Sequence, residues 1–304
     1  MNEAEQEARI VEARLKLRER FLQKMEATPS LSDGNVKGSG PLNRHGMPVR
    51  PPGQKLVSKW PVLDLGRQPA IDTSEWQLKV DGSCTNPAIF KWDDFLALPQ
   101  VEDVSDFHCV TAWSKLDMHW KGVRLADVLE LVAPNSSATH IMCYGYDGYS
   151  TNLPLEEALK SDVLLVHHAQ DEKLERQHGG PVRLITPQLY AWKGCKWICR
   201  IRLMDGDEPG FWEKNGYSNT GYPWREERYL KNGVFRNPMW RQIYTLFKPV
   251  LLWQVFILVL TTLLARWLRS QSQVELLPTL KLVSALLSFA AVPLALWRLR
   301  RQQR

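Results

Sequence analysis

Two short stretches hold the residues best suited to chemistry. The first is Asp106-Phe-His-Cys-Val-Thr-Ala-Trp-Ser114, where Cys109 follows His108 and precedes the hydroxyls of Thr111 and Ser114. A thiolate there would bind a soft or borderline metal. A buried, inert thiol fits the same spacing, because unpaired cysteine is among the most buried residue types. The second is His178-Gly-Gly-Pro-Val-Arg183, followed by Lys193-Gly-Cys-Lys-Trp197. Gly179 and Gly180 let backbone approach a ligand closely. Arg183 and Lys196 would meet an anionic group such as a phosphate. Either half alone is common in strands that bind nothing.

The other polar residues read more plainly. The five cysteines, Cys84, Cys109, Cys143, Cys195 and Cys199, are an odd number and do not form a disulfide framework. Cys195 and Cys199 have no second pair to complete a zinc site, so a reducing compartment fits them. His167 and His168 follow an apolar run and are expected at a strand end. Glu156 and Glu157 follow Pro154 and suit a helix N-terminus. Asp205, Asp207 and Glu208 are expected in a solvated turn. Of the 13 tryptophans, Trp113 and Trp192 are placed to line a site.

The elements that position these groups come from patterning. In residues 1–27, dense in both charge signs, Ala13, Leu17, Phe21 and Met25 recur every four residues, which predicts an amphipathic helix and no targeting peptide. Residues 28–54 hold five glycines and five prolines and read as a linker or extended arm. Trp76–Val80 alternates like a strand and ends in Asp81-Gly82, a turn signal. Helices are expected at 93–98 and 125–132, and strands at 141–144, 163–167, 182–186 and 197–203. This mixture predicts an α+β domain over 55–235.

The C-terminal quarter differs. Residues 246–268 are nearly continuous in apolar character, and as a helix would reach about 35 Å, enough to cross a hydrocarbon core of about 30 Å. A second apolar run, 276–297, contains Pro293, and 298–304 is a basic tail. Together these predict a transmembrane helical hairpin in a lipid bilayer; helices packing on a partner protein are the other reading. Arg236, Arg241 and Lys248 before the hairpin, with four arginines after it, would place the domain and the tail on the cytoplasmic side. Length (304 residues), 24% charged and 44% hydrophobic residues exclude a disordered or collagenous chain, and a mean hydropathy of −0.31 excludes a polytopic membrane protein. The net charge of +6 is read as partly that membrane flank, with no nucleic-acid partner expected.

Taken together and in order, the motifs resemble the sulfite-oxidase-type molybdopterin oxidoreductases, in their bacterial sulfite-oxidase-like and methionine-sulfoxide-reductase branch. The carrying blocks are His-Cys-Val-Thr-x-Trp-Ser at 108–114, Trp-x-Gly-Val-x-Leu at 120–125 and Thr-Asn-Leu-Pro-Leu at 151–155. His-Gly-Gly-Pro-Val-Arg at 178–183, Lys-Trp at 196–197 and Gly-Phe-Trp-Glu-x-Asn-Gly-Tyr at 210–217 continue them. The resemblance implies that fold, mixed sheets with short helices, and Mo-molybdopterin as cofactor. It makes Cys109 the protein's ligand to molybdenum and puts His178, Arg183, Gly194, Cys195 and Lys196 around the pterin and its phosphate. Tyr144, with the Lys59-Trp60 approach, would add cofactor contacts, and His108 would orient the site or relay protons.

Animal sulfite oxidases place arginines shortly after the ligand cysteine; this chain reads Val110, Thr111, Ala112 and Trp113 there. Close relatives often carry histidine and aspartate where it has Ser218 and Tyr222. The expectation is two-electron oxygen-atom transfer on a small-molecule substrate, sulfoxide-like or another oxo compound. Electrons would come from a separate partner or quinone pool, since no histidine follows His178 to ligate a haem. A cofactor-binding scaffold without turnover and a sulfite dehydrogenase are the alternatives.

Overall fold

The computed structural model describes residues 3–27, 36–230, 260–266, 268 and 270. Cα proximity divides the chain into two units, Met1–Val234 and Phe235–Arg304. Among the described residues no helix is long and apolar enough to cross a membrane. The stretches expected to span, 246–268 and 276–297, lie largely outside the described residues, and the tail 298–304 lies wholly outside them.

The first unit is a mixed α+β structure built on two sheets. In the five-stranded sheet, β4 (Gln77–Gly82) buries Leu78 and Val80 and exposes Gln77 and Lys79, the period-two pattern of a strand with one dry face. It pairs antiparallel with β5 (Ala88–Lys91) and parallel with β13 (Ile198–Met204). On its other edge β13 pairs antiparallel with β8 (His140–Gly145), which is followed by β9 (Ser150–Pro154). The helix α2 (Trp92–Ala97) buries Phe95, and α3 (Leu125–Val132) buries Leu125, Val128, Leu129 and Val132, one stripe at helical spacing. Two more helices are single turns, α4 (Leu155–Ala158) and α5 (Phe211–Lys214).

The six-stranded sheet is organised by a long hairpin, β6 (Gln100–Cys109) with β7 (Trp113–Arg124). The short β3 (Lys55–Leu56) joins one edge of β7 in parallel, and β10 (Leu164–Ala169) pairs with β7, β11 (Glu172–Lys173) and β12 (Arg183–Ile185). Cys109 therefore ends β6, and Arg183 begins β12, in one sheet.

Two regions depart from the sequence pattern. The Gly/Pro-rich stretch holds a small two-stranded sheet, β1 (Ser39–Leu42) with β2 (Pro48–Arg50), and its last residue, Gln54, is buried. The helix α1 (Glu3–Ala27) packs Ile10, Val11, Phe21 and Leu22 against the main core. Its inward stripe also takes in Arg14, Leu15 and Arg18, whereas Ala13 and Leu17 are exposed. The expected apolar face is thus rotated, and two arginines turn toward the domain.

Candidate active site

The β6–β7 turn sets the position of the Cys109 thiol. Ala112 closes it with φ 72°, its N–H donating to the Cys109 carbonyl at 3.1 Å. Two distant side chains strap the same turn: the Gln54 amide donates to the Cys109 carbonyl at 3.1 Å, and the Arg228 guanidinium donates to the Val110 carbonyl at 2.5 Å. The thiol itself lies 3.2 Å from the Thr111 hydroxyl. Burial lifts its pKa above the usual thiol range, while the Thr111 hydrogen bonds and the charges of Arg14 and Arg228 pull the other way.

The sulfur opens on a cleft with mostly apolar walls. The same cleft is lined by Trp60, His178, Arg183, Gly194 and Lys196, so six of the residues named from sequence meet in one space. The Trp60 indole stacks on the His178 imidazole, centroids 3.9 Å apart and planes 2° from parallel. Burial, with the charges of Arg183 and Lys196, lowers the His178 pKa to about 4, so the ring is neutral at pH 7. Arg183 is 3% exposed and donates from Nη1 to the His178 carbonyl at 2.9 Å, yet its Nε has no partner. Desolvation holds Arg183 down to about 10 and, with repulsion from Arg183, Lys196 down to about 8. Both are groups that a bound anion would relieve.

Glycine is needed where the loops converge on this cleft. Gly179 has φ +109°, and a Cβ there would come within 2.9 Å of the Lys196 side chain; one on Gly194 would come within 2.6 Å of the Leu184 carbonyl oxygen.

Four residues named from sequence are not gathered into the cleft. His108 neighbours Cys109 on a strand, so its side chain faces the other way. It lines a separate, smaller cavity, with Nδ1 2.8 Å from the Ser114 hydroxyl, and burial lowers its pKa to about 3. A proton relay from that ring to the sulfur is therefore not what the geometry provides. The Cys195 thiol is fully buried beneath the loop, and burial pushes its pKa far up. The Tyr144 ring lies under the Arg200 guanidinium, and Lys59 is exposed.

Conversely, the cleft includes residues that sequence reasoning passed over. Trp212 and Tyr217 lie in the Gly-Phe-Trp-Glu block, which marked the region without assigning them a role. Asp64 and Asp147 line it as well, Asp147 accepting the Tyr149 N–H at 3.1 Å within a Gly-flanked turn that gave the only signal. Arg14 had no signal at all.

Comparison with known proteins decides what this cleft belongs to. The model of the oxidoreductase molybdopterin binding domain matches residues 65–212. An uncharacterized oxidoreductase of Bacillus subtilis, YuiH, is 38% identical over 180 residues, covering 59% of this chain and 91% of that protein. The chain belongs to the sulfite-oxidase-type molybdopterin-binding oxidoreductases. Its cofactor is accordingly a molybdopterin. Protein-methionine-sulfoxide reductase catalytic subunits MsrP are more distant: that of Ralstonia nicotianae is 31% identical over 163 residues, and that of Gluconobacter oxydans 30% over 165. These matches span 48% of this chain and about half of each relative, 49% and 53%. The crystal structure of sulfane dehydrogenase SoxCD from Paracoccus pantotrophus superposes with a TM-score of 0.44 at 19% identity, over 49% of this chain and 42% of that one.

The residues present fit such a cofactor. A buried guanidinium with an orphaned Nε and a lysine held below its usual pKa line the cleft together, with Gly194 beside them, as an anion cradle. A thiol stands in the same space, the donor type a soft metal prefers.

Proposed function

We propose that this oxidoreductase carries out two-electron oxygen-atom transfer on a small oxo compound, sulfoxide-like in chemistry, with Cys109 as the protein's ligand to molybdenum. The observation that carries this reading is that the Cys109 sulfur and the unsatisfied Arg183 guanidinium open on one cleft. When bound, the cofactor supplies the redox chemistry.

The chain's own residues do the rest. Arg183 and Lys196 would hold the cofactor's phosphate, with the backbone at Gly194 beside it, while Gly179 lets the loop pack on Lys196. His178, neutral and stacked on Trp60, presents ring nitrogens for hydrogen bonds to the pterin. Cys109 would hold the metal as a thiolate; because burial disfavours the free thiolate, the metal's charge would stabilise that form. Trp113, Trp212 and Tyr217 wall the Cys109 end with aromatic surface, which excludes water from the reacting atoms.

The test is metal and pterin analysis of the purified full chain beside Cys109→Ser. We expect near-stoichiometric molybdenum in the parent, and a variant that keeps most of its pterin but loses turnover. Unchanged turnover in Cys109→Ser would overturn the assignment.

The hydropathy of 246–268 and 276–297 supports membrane attachment through a helical hairpin, with the catalytic domain and basic tail on the cytoplasmic side. Electrons then come from a separate protein or a quinone pool, because no histidine lies beyond His178.

A further inference from the structure

Amphipathic helices normally turn arginine outward, and a guanidinium is seldom buried without a partner. On α1 two arginines face the domain, and one of them has a visible reason. Arg18 is buried, donates to the Leu230 carbonyl at 3.4 Å and fits over Gly216, where a Cβ would come within 3.0 Å of its Nε, an atom that itself has no partner. Arg14, one turn earlier on the same face, is different: it is half-buried, and its guanidinium borders the cleft. Among the described residues it has no hydrogen bond and no carboxylate partner, and it opens on the cleft that holds Cys109.

The surroundings at that end are otherwise neutral: Thr111, Trp113, Trp212 and Tyr217. Other cations near the sulfur are already engaged. Arg228 pairs with Glu226 at 2.9 Å and straps the Val110 carbonyl, while Arg183 and Lys196 sit with His178 at the cradle. Among the described residues, the Cys109 end of the cleft thus combines aromatic walls with a guanidinium not committed to another group, supplied by a helix outside the matched domain.

We propose that Arg14 is a specificity-determining residue that binds the anionic oxygen group of the substrate, which makes the substrate a small monoanion, a carboxylate- or oxoanion-bearing oxo compound. This rests on the oxygen-transfer reading above and narrows its substrate class. A guanidinium offers a planar fork to such a group, and a hydrogen bond between two charged partners is roughly twice as strong as a neutral one. A neutral oxo compound of the same size would leave Arg14 unpaired in the cleft and bind more weakly.

The test uses methylsulfinylacetate and its uncharged isostere methylsulfinylacetamide, bound to the oxidised holoenzyme at constant ionic strength. Binding is read from tryptophan fluorescence, since Trp113 and Trp212 line the cleft. We expect the carboxylate to bind roughly tenfold or more tightly than the amide, as a charge-assisted hydrogen bond implies. Arg14→Gln should erase that preference. Arg14→Lys should retain most of it, and Arg20→Gln, which removes the same charge from the exposed face, should leave it intact. Equal affinities in the parent, no binding of either probe, or a preference surviving Arg14→Gln would each overturn the proposal. Molybdenum content and the Cys109→Ser result report on the oxygen-transfer reading separately, so the two can fail independently.

Discussion

Asp147 carries a testable consequence of the cleft's electrostatics. Burial raises its carboxyl to about 6, against the opposing pull of backbone N–H groups and Lys196. Between pH 4 and pH 6 the folded, cofactor-free protein holds a proton that the unfolded chain releases, so stability falls as pH rises through that window. The shift of about two pH units corresponds to at most on the order of 3 kcal/mol. His108, His167 and His178, held neutral by burial, act in the opposite direction over the same range, so the effect is read as a difference. In thermal melts of cofactor-free protein, the stability of the parent relative to Asp147→Asn, which still accepts the Tyr149 N–H, should fall from pH 4 to pH 7. Arg183 predicts the opposite kind of effect, on binding. Because its Nε has no partner among the described residues and the side chain borders the cleft, Arg183→Gln should lower retained pterin by about tenfold or more, measured by fluorescence of pterin released from purified protein. Cys109 and Arg183 were singled out in the sequence by the motifs around them, and the structure brings both to one cleft. Lys59 and Trp60 were named together, yet one is exposed and the other stacks on His178, a difference of side-chain direction along an irregular segment that spacing does not encode.

Secondary structure was recoverable wherever burial imposed a period. The alternation of β4 and the stripe of α3 announce themselves because one face of each is dry. The β6–β7 hairpin gave no such signal: its strands are half-exposed, and its turn uses Ala112 at positive φ where a glycine would have marked it. The face of α1 was misread for a related reason, since a count of apolar residues treats Arg14 and Arg18 as outward although arginine can bury its stem. What joins these elements behind the cleft is a buried ion pair. Lys193, fully buried on the turn before Gly194, donates to Glu213 of α5 at 2.7 Å and to the Asn152 carbonyl and amide oxygens of β9 at 3.0 and 2.9 Å. Glu213 also accepts from Trp192 and Thr151. Lys193→Met should therefore cost about 3–5 kcal/mol in denaturant unfolding, since it strands a buried carboxylate. The double variant Lys193→Met/Glu213→Gln removes that charge while keeping an acceptor for Trp192 and Thr151, and should recover more than half of the loss.

Across the whole chain, two kinds of sequence signal point to different parts of one machine. Among the described residues, every residue of the cleft belongs to the first unit, between α1 and Tyr217. The apolar stretches fall in the second, and no histidine there can ligate a redox group. If those stretches only tether the enzyme, removing them should change location and nothing else. We therefore expect the full chain to sediment with membranes and resist carbonate extraction, because an inserted hairpin is held by burial of about 20 apolar residues per helix, which high pH does not reverse. A chain ending at residue 234 should move to the soluble fraction with its molybdenum and pterin content unchanged and its turnover with a small-molecule reductant intact. What it should lose is turnover driven by native membranes, since reduction then depends on encounter with a donor in or at the bilayer. Full release of the intact chain by carbonate would show instead that the C-terminal helices pack on a protein partner. Loss of molybdenum on truncation would show that the second unit helps to build the site.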